Sequence, residues 1–529
     1  MKIKNRKSKI KNSLLAFLVF LVFTSCGKWL DGALPQDRNL DEKQFSTETG
    51  IHAALNGLYS RLASSRLYGS MLTMTSIELL AHYYYYETST DLIEFRGYES
   101  FRFMSEYRFD DYRVSEPFNA IWNMAYQTIF EINTFIKNLG ESEAISKEQK
   151  NVFLGEAYGL RAFIHLDLYR IFSGIVYDPD NEGFFTRSIP YNDSPNVVPH
   201  THISPDEYII KLQQDINLAL HYLEDDDPIL TVGILDLQPS SDNAQSPVDF
   251  TEPAVIFNTY LRNYRMNYYA VRALQARFLM FIGEEQQAAQ TAQEILDESF
   301  GNGKLFNWAN FRDIEQERNR NYIFYEEVIF GITNPDLYAN WRNYTSSTSR
   351  GGLYAVHEDI LRETIFGNDI RLEGDLRRWP DVRTRQWLPS LMDDSHFISM
   401  KYENHQFSRY NPKEFFQPLI RTAELWYIIA EAKLKAGDRD GAIEILDEFY
   451  LRRGSSAGWV SANAKTDEDV YKFLETEYYK EFYGEGQTWF YLKRNSSSSI
   501  ISARAVRERN PLTPANFFPN LPQREFDFD

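Results

Sequence analysis

A stripe of large residues at helical spacing is what most restricts the fold of this chain. Trp122, Tyr126, Ile129, Asn133 and Ile136 recur every three or four residues, the interval that places side chains on one face of an α-helix. Leu154, Ala157, Leu160, Ile164, Leu168 and Ile171 repeat the pattern through 150–172. Ser204-Pro205-Asp206-Glu207 has the order of a helix start: a serine able to cap, a proline at the first helical position and acids in the first turn. The helix it opens is expected to run to about Leu223.

Two later segments match one another. ALQARFLMFIGEEQQAAQTAQEIL (273–296) carries Ala276, Gly283 and Ala288, and YIIAEAKLKAGDRDGAIEILDEFY (427–450) carries Ala430, Gly437 and Ala442. Small residues at these offsets let two antiparallel helices approach closely, and the glycine ends the first of them. The pattern resembles the helix hairpin of tetratricopeptide repeats, with Trp426 and Leu446 also at compatible positions. Because the two copies are far apart in the chain, no regular solenoid is expected. The fold class predicted is all-α, with tetratricopeptide-like hairpins beside a loop-rich lobe.

That lobe is expected from four stretches rich in Gly, Pro, Asn, Asp and Ser: 65–115, 173–203, 224–262 and 298–415. Loops of this length inside a compact chain are usually functional. Aromatic residues make up 15% of the chain, more than a core alone needs, and the surplus gathers in these stretches. AHYYYYETSTD (81–91), LFNWANF (305–311) and DLYANWRNYTSS (336–347) are the densest.

The N-terminus reads as a leader. Lys2, Lys4, Arg6, Lys7, Lys9 and Lys11 form a basic region, Leu14 to Phe23 is an unbroken apolar run, and Thr24-Ser25 precede Cys26. The run is about half of what a membrane-spanning helix needs, and it fits a signal peptide. Cys26 is the chain's only cysteine, so it can form no internal disulfide. Its place resembles that of the lipidated cysteine in bacterial lipoprotein signals, with Phe23 where leucine is usual. Acyl chains there would anchor the protein, each buried methylene contributing about 0.8 kcal/mol. The net charge is −19, and removing 1–25 takes away six positive charges and no negative one. So acidic a surface repels nucleic acid and anionic headgroups.

Taken in order, these landmarks resemble one family, the SusD/RagB nutrient-uptake outer-membrane lipoproteins of the Bacteroidota. KWLDGALPQD is similar to the family's opening segment and IHAALNGLYSRL (51–62) to its first helix. WNMAYQTIFEINTFI (122–136) resembles its Trp-x3-Tyr-x2-Ile-x3-Asn helix, and GEAYGLRAFIHLDLYRIFSG (155–174) its Gly-Glu-Ala-x3-Arg-Ala block. LIRTAELWYIIAEAKLKAG (419–437), EFYGEGQTWFYLKR (481–494) and the tail NLPQREFDF complete the series. Tyr478, Thr488 and Tyr491 depart from it, standing where the family often has Arg, Arg and Asp. The resemblance implies a signal peptide over 1–25 and two parts, 26–240 and 241–529, forming one unit. It implies a non-enzymatic protein, lipid-anchored through Cys26 and exposed at the outer-membrane surface. Such a protein binds an oligosaccharide, or another nutrient, and delivers it to a SusC-like TonB-dependent transporter.

The residues themselves offer no catalytic constellation. His200-Thr201-His202 reads as a solvated pair. DPDNEG (178–183) imitates a calcium loop, but Ile189 stands where an EF-hand needs glutamate. No cofactor is expected, and a structural calcium of another kind is left open. Glu156, Glu424, Glu431, Glu481 and Glu485 lie in helical blocks near Arg161, Arg421, Lys480 or Lys493, which points to ion pairs before it points to the paired carboxylates of a surface glycosidase. The positive signal is aromatic. The C–H face of a pyranose can lie on a ring while polar neighbours bond its hydroxyls. By region, the family resemblance places ligand contacts at Tyr84, Tyr86 and Asp91, and at Trp308, Tyr338, Trp341, Arg342, Asn343 and Tyr344.

Overall fold

The computed structural model describes residues 43–84, 99–179, 181–196, 201–234, 256–301, 303–315, 320–345, 355–367, 380–389, 396–402, 415–503 and 505–522. Capping chemistry sets its helix ends. Helix α1 (Glu48–Leu62) begins at Thr47, whose hydroxyl accepts from the Gly50 amide. After the short α2 (Ser76–Leu80) and α3 (Glu99–Ser105) come two long helices, α4 (Tyr112–Glu141) and α5 (Lys147–Phe172). Ser146 and Gln149 form a reciprocal capping box at the start of α5. Ser204 caps α6 (Pro205–Leu223) by accepting from the Glu207 amide at 3.2 Å, so this helix has the bounds its sequence predicts.

The expected stripe on α4 is an interior one: Trp122, Ile129 and Asn133 are buried, and Tyr126 and Ile136 are half-buried. Helix α5 exceeds its predicted stripe. It packs against both α4 and α6, and from Phe153 to Phe172 only Tyr158 escapes burial. Gly155 makes that enclosure possible, because a Cβ there would lie 2.5 Å from Leu223 Cγ on α6.

Both predicted hairpins form. Helices α7 (Tyr268–Ile282) and α8 (Glu285–Asp297) make the first. Gly283, with φ +85°, takes the left-handed turn between them. The inserted lobe follows, with strand β1 (Val328–Thr333), helix α9 (Leu337–Thr345) and strand β2 (Phe416–Arg421). Strand β2 pairs antiparallel with β1 and runs directly into α10 (Thr422–Lys435). Gly437, with φ +82°, then turns the chain into α11 (Arg439–Arg452). Ala276, Ala288, Ala430 and Ala442 are all fully buried where the hairpins close.

The two hairpins are distant in sequence and adjacent in space, since α8 packs on α10. The array is therefore more regular than the sequence implied. It runs α1, α4, α5, α6, α7, α8, α10 and α11, each packed on the next, and α12 (Asp467–Glu481) packs on α10 and α11. The last helix used below is α13 (Thr488–Arg494). One hydrophobic cluster extends from Phe45 to Leu521, and a small second one holds Ala309, Ile314, Tyr322, Phe324 and Val382 inside the insert.

Candidate ligand-binding surface

The segment 336–347 reads in sequence as an irregular loop, and the structure corrects this: 337–345 is helix α9. Its pattern then sorts the candidate residues. Leu337, Trp341 and Thr345, four apart, form the buried stripe. Ala339, Arg342 and Asn343 are exposed, and Tyr338 and Tyr344 are half-exposed. Arg342 Nη1 donates to Tyr338 Oη at 2.9 Å, and its guanidinium carbon lies 5.7 Å from the Tyr338 ring centroid. Tyr344 leans on Phe101 of α3, with ring centroids 6.1 Å apart. Tyr338 and Tyr344 thus flank the buried stripe on its two edges, with the Arg342 guanidinium and the Asn343 amide between them on the exposed side of the helix.

Trp341 cannot serve as the platform expected of it. It is fully buried, its indole N–H donates to the Ser399 carbonyl at 2.9 Å, and its ring packs edge-on against Tyr402 and Tyr483. Tyr84 is likewise enclosed at 1% exposure, with its hydroxyl donating to the Met74 carbonyl. The two predicted regions do converge, but inside the protein: Tyr83, Tyr84, Trp341 and Trp387 all meet the ring of Tyr483. These buried rings support the surface above them and have no free face for a sugar. Tyr86 and Asp91 lie outside the described residues, as does Cys26.

Trp308 does not join the α9 face. Half-buried, it stacks against Trp426 of α10 and Phe449 of α11, with the Arg453 guanidinium 5.4 Å from its ring. It belongs to the helix hairpin. Phe101 is not legible in the sequence, because its segment reads as loop and its contact with Tyr344 spans nearly half of the chain.

The five glutamates are all interior and all bound to cations, four of them on helices and Glu485 in the turn between α12 and α13. Arg262 donates to Glu156, Arg277 to Glu424 and Arg494 to Glu431. Arg421, Arg453 and Arg383 converge on Glu481, and Arg421 and Lys401 on Glu485. Ion pairing is the expected role, though some partners differ: Arg161 pairs with Asp215, Lys480 with Glu477, and Lys493 donates to the Ile171 and Phe517 carbonyls. Burial alone would raise Glu481, yet Arg453, Arg421 and Arg383 hold it well below its ordinary 4.5. Three positions that depart from the family's charges pack as neutral groups. Tyr478 stacks on Tyr491 and accepts from Arg494, and Thr488 shares a hydrogen bond with Tyr83. Among the described residues, no group of three or more His, Cys, Asp or Glu is placed to hold a metal.

Residues 394–512 match the SusD family, and 28–225 match a family described as "Starch-binding associating with outer membrane". A relative from Formosa agariphila, SusD-like protein P38, is 23% identical over 71% of this chain and 72% of its own. Among solved structures, a SusD superfamily protein of Bacteroides thetaiotaomicron has TM-score 0.62 at 17% identity, covering 91% of this chain and 98% of its own. A SusD-like carbohydrate binding protein of Bacteroides vulgatus has TM-score 0.58 at 16% identity, covering 91% and 96%. At these identities the likeness to solved structures is one of fold.

Proposed function

The chain belongs to the SusD/RagB family, and from that membership we propose that it is a surface lipoprotein that captures a glycan and passes it to a SusC-like TonB-dependent transporter of the outer membrane. Members of this family are binding proteins without catalytic activity. Neutralised in the interior, these five glutamates are in keeping with that, since general acid–base work on a glycan needs carboxyl groups open to it. Outer-membrane association is supported by the family description matched over 28–225. The basic leader, the apolar run and Cys26 supply the means of attachment.

The observation that carries the glycan reading is the outer face of α9. Tyr338 offers ring surface at one edge of it and Tyr344 at the other, and Arg342 and Asn343 offer hydrogen bonds between them. An open face suits a polymer, whose ends must pass on either side.

The test is a glycan panel on residues 27–529, followed by calorimetry. Tyr338→Ala and Tyr344→Ala are each expected to cost about 1–3 kcal/mol of affinity, the range for burying a large apolar group. Cys26→Ala is expected to abolish membrane attachment. A panel with no glycan bound would overturn the glycan reading, and release of reducing sugar would replace it with a hydrolase. Normal surface display of Cys26→Ala would sink the anchor.

A further inference from the structure

Resting on the glycan reading above, we propose that the α9 face selects an acidic glycan, a carboxylate or sulfate of the sugar seating on Arg342 while the ring lies along Tyr338. A guanidinium has five N–H donors in a planar fork, matched to two oxygens of an anion. In Arg342 one of them is committed, to the Tyr338 hydroxyl, and the side chain is otherwise exposed.

Most arginines among the described residues are neutralised by a carboxylate. On the surface Arg61 pairs with Glu131, Arg113 with Glu99, Arg272 with Glu294, Arg362 with Glu358 and Arg452 with Glu448. The chain has 75 acidic residues to 56 lysines and arginines, so acids are plentiful. Arg342 nevertheless has no carboxylate within 4.0 Å among the described residues. Asp336, the nearest acid on the same stretch, is exposed about 9 Å away along the helix, at 1.5 Å of rise per residue.

The remaining groups suit such a ligand. By accepting from Arg342, the Tyr338 hydroxyl keeps its own proton free to donate, so one anion oxygen can take both that proton and a guanidinium N–H. Position 339 is alanine, which leaves the surface between Tyr338 and Asn343 unobstructed. Asn343 brings an amide that both donates and accepts, the need of a sugar hydroxyl. A lysine would supply charge without the fork.

The experiment uses the chain from residue 27 and a panel of uronate-bearing and sulfated oligosaccharides, each beside its carboxyl-reduced or desulfated counterpart. At least one acidic member is expected to bind tenfold or more tightly than its neutral counterpart. Which arm responds identifies the anion. Arg342→Gln should abolish that preference, so that on this variant the acidic member binds no more tightly than its neutral counterpart, and Arg342→Lys should keep part of it. Circular dichroism and melting temperature serve as fold controls, and both variants should match the parent because the site is exposed. Equal binding of acidic and neutral members, or a preference that survives Arg342→Gln, overturns this inference and leaves the glycan reading standing. Binding of neither class overturns both.

Discussion

Trp341 shows how far single residues could be read. Its neighbours Tyr338, Arg342, Asn343 and Tyr344 were legible as an aromatic and polar cluster, and the structure keeps all four at the surface of one helix. Trp341 itself was misread, although the information was present: Leu337, Trp341 and Thr345 are spaced by four, the interval of a buried stripe. Turn-forming residues on either side hid the helix. The burial of Tyr84 was not legible, because Tyr483, on which it packs, lies far along the chain. The consequence for mutation is a reversal. Trp341→Ala should not remove a ligand contact. It should open a cavity and leave the Ser399 carbonyl without its donor, costing about 3–5 kcal/mol of stability. Denaturant titration is expected to show that loss, with glycan affinity of the folded protein little changed. A variant that unfolds at the parent's midpoint would place the tryptophan outside the core.

Elements were more legible than contacts, because caps and turns act over a few residues. Ser204 begins α6 and Gly283 ends α7 by local chemistry, and the structure keeps those boundaries. What could not be read was adjacency: nothing in 273–296 says that α8 will pack on a helix beginning at Thr422. The hairpin glycines permit a clean test. Gly437 has φ +82°, and a Cβ there meets nothing within 4 Å, so a side chain costs only backbone strain. Gly437→Ala should lower stability by about 1–2 kcal/mol, the penalty for an L-residue in the left-handed region. Gly437→Asn should cost less, since asparagine tolerates that region best after glycine. Urea midpoints with unchanged slopes would report this order, and equal midpoints for all three proteins would refute the turn's assigned role.

Across the whole molecule, the insert between α8 and α10 is fastened to the helical array by charge. Five acids, Glu327, Asp381, Glu477, Glu481 and Glu485, meet five cations, Arg383, Arg421, Arg453, Lys401 and Lys480, in one buried network. Arg383 and Glu327 belong to the insert, and Glu481 belongs to α12. Glu481 accepts from Arg421 at 2.5 Å, Arg453 at 2.8 Å and Arg383 at 3.1 Å. A buried network of this kind adds little over a well-packed apolar core, but losing one partner strands the charges left behind. Glu481→Gln should therefore cost about 3–5 kcal/mol at neutral pH. The pH dependence has a definite sign. Burial opposes the charge on Glu481, yet its arginines keep its folded value well below 4.5. Its contribution is thus full above the ordinary carboxylate range and is lost only as pH falls through that range toward the depressed value. Glu78 has the opposite sign. Burial beside Gly486 raises it well above 4.5, so what it contributes is present in acid and lost as pH rises through the raised value. The gap between parent and Glu481→Gln should accordingly be wide at pH 7 and should begin to close below about pH 4, as the unfolded carboxylate, near 4.3, takes up its proton, closing further as pH falls toward the depressed folded value. Denaturant titrations at both pH values measure it. A gap of the same width at the two pH values would mean that the carboxylate charge does not hold the insert to the array.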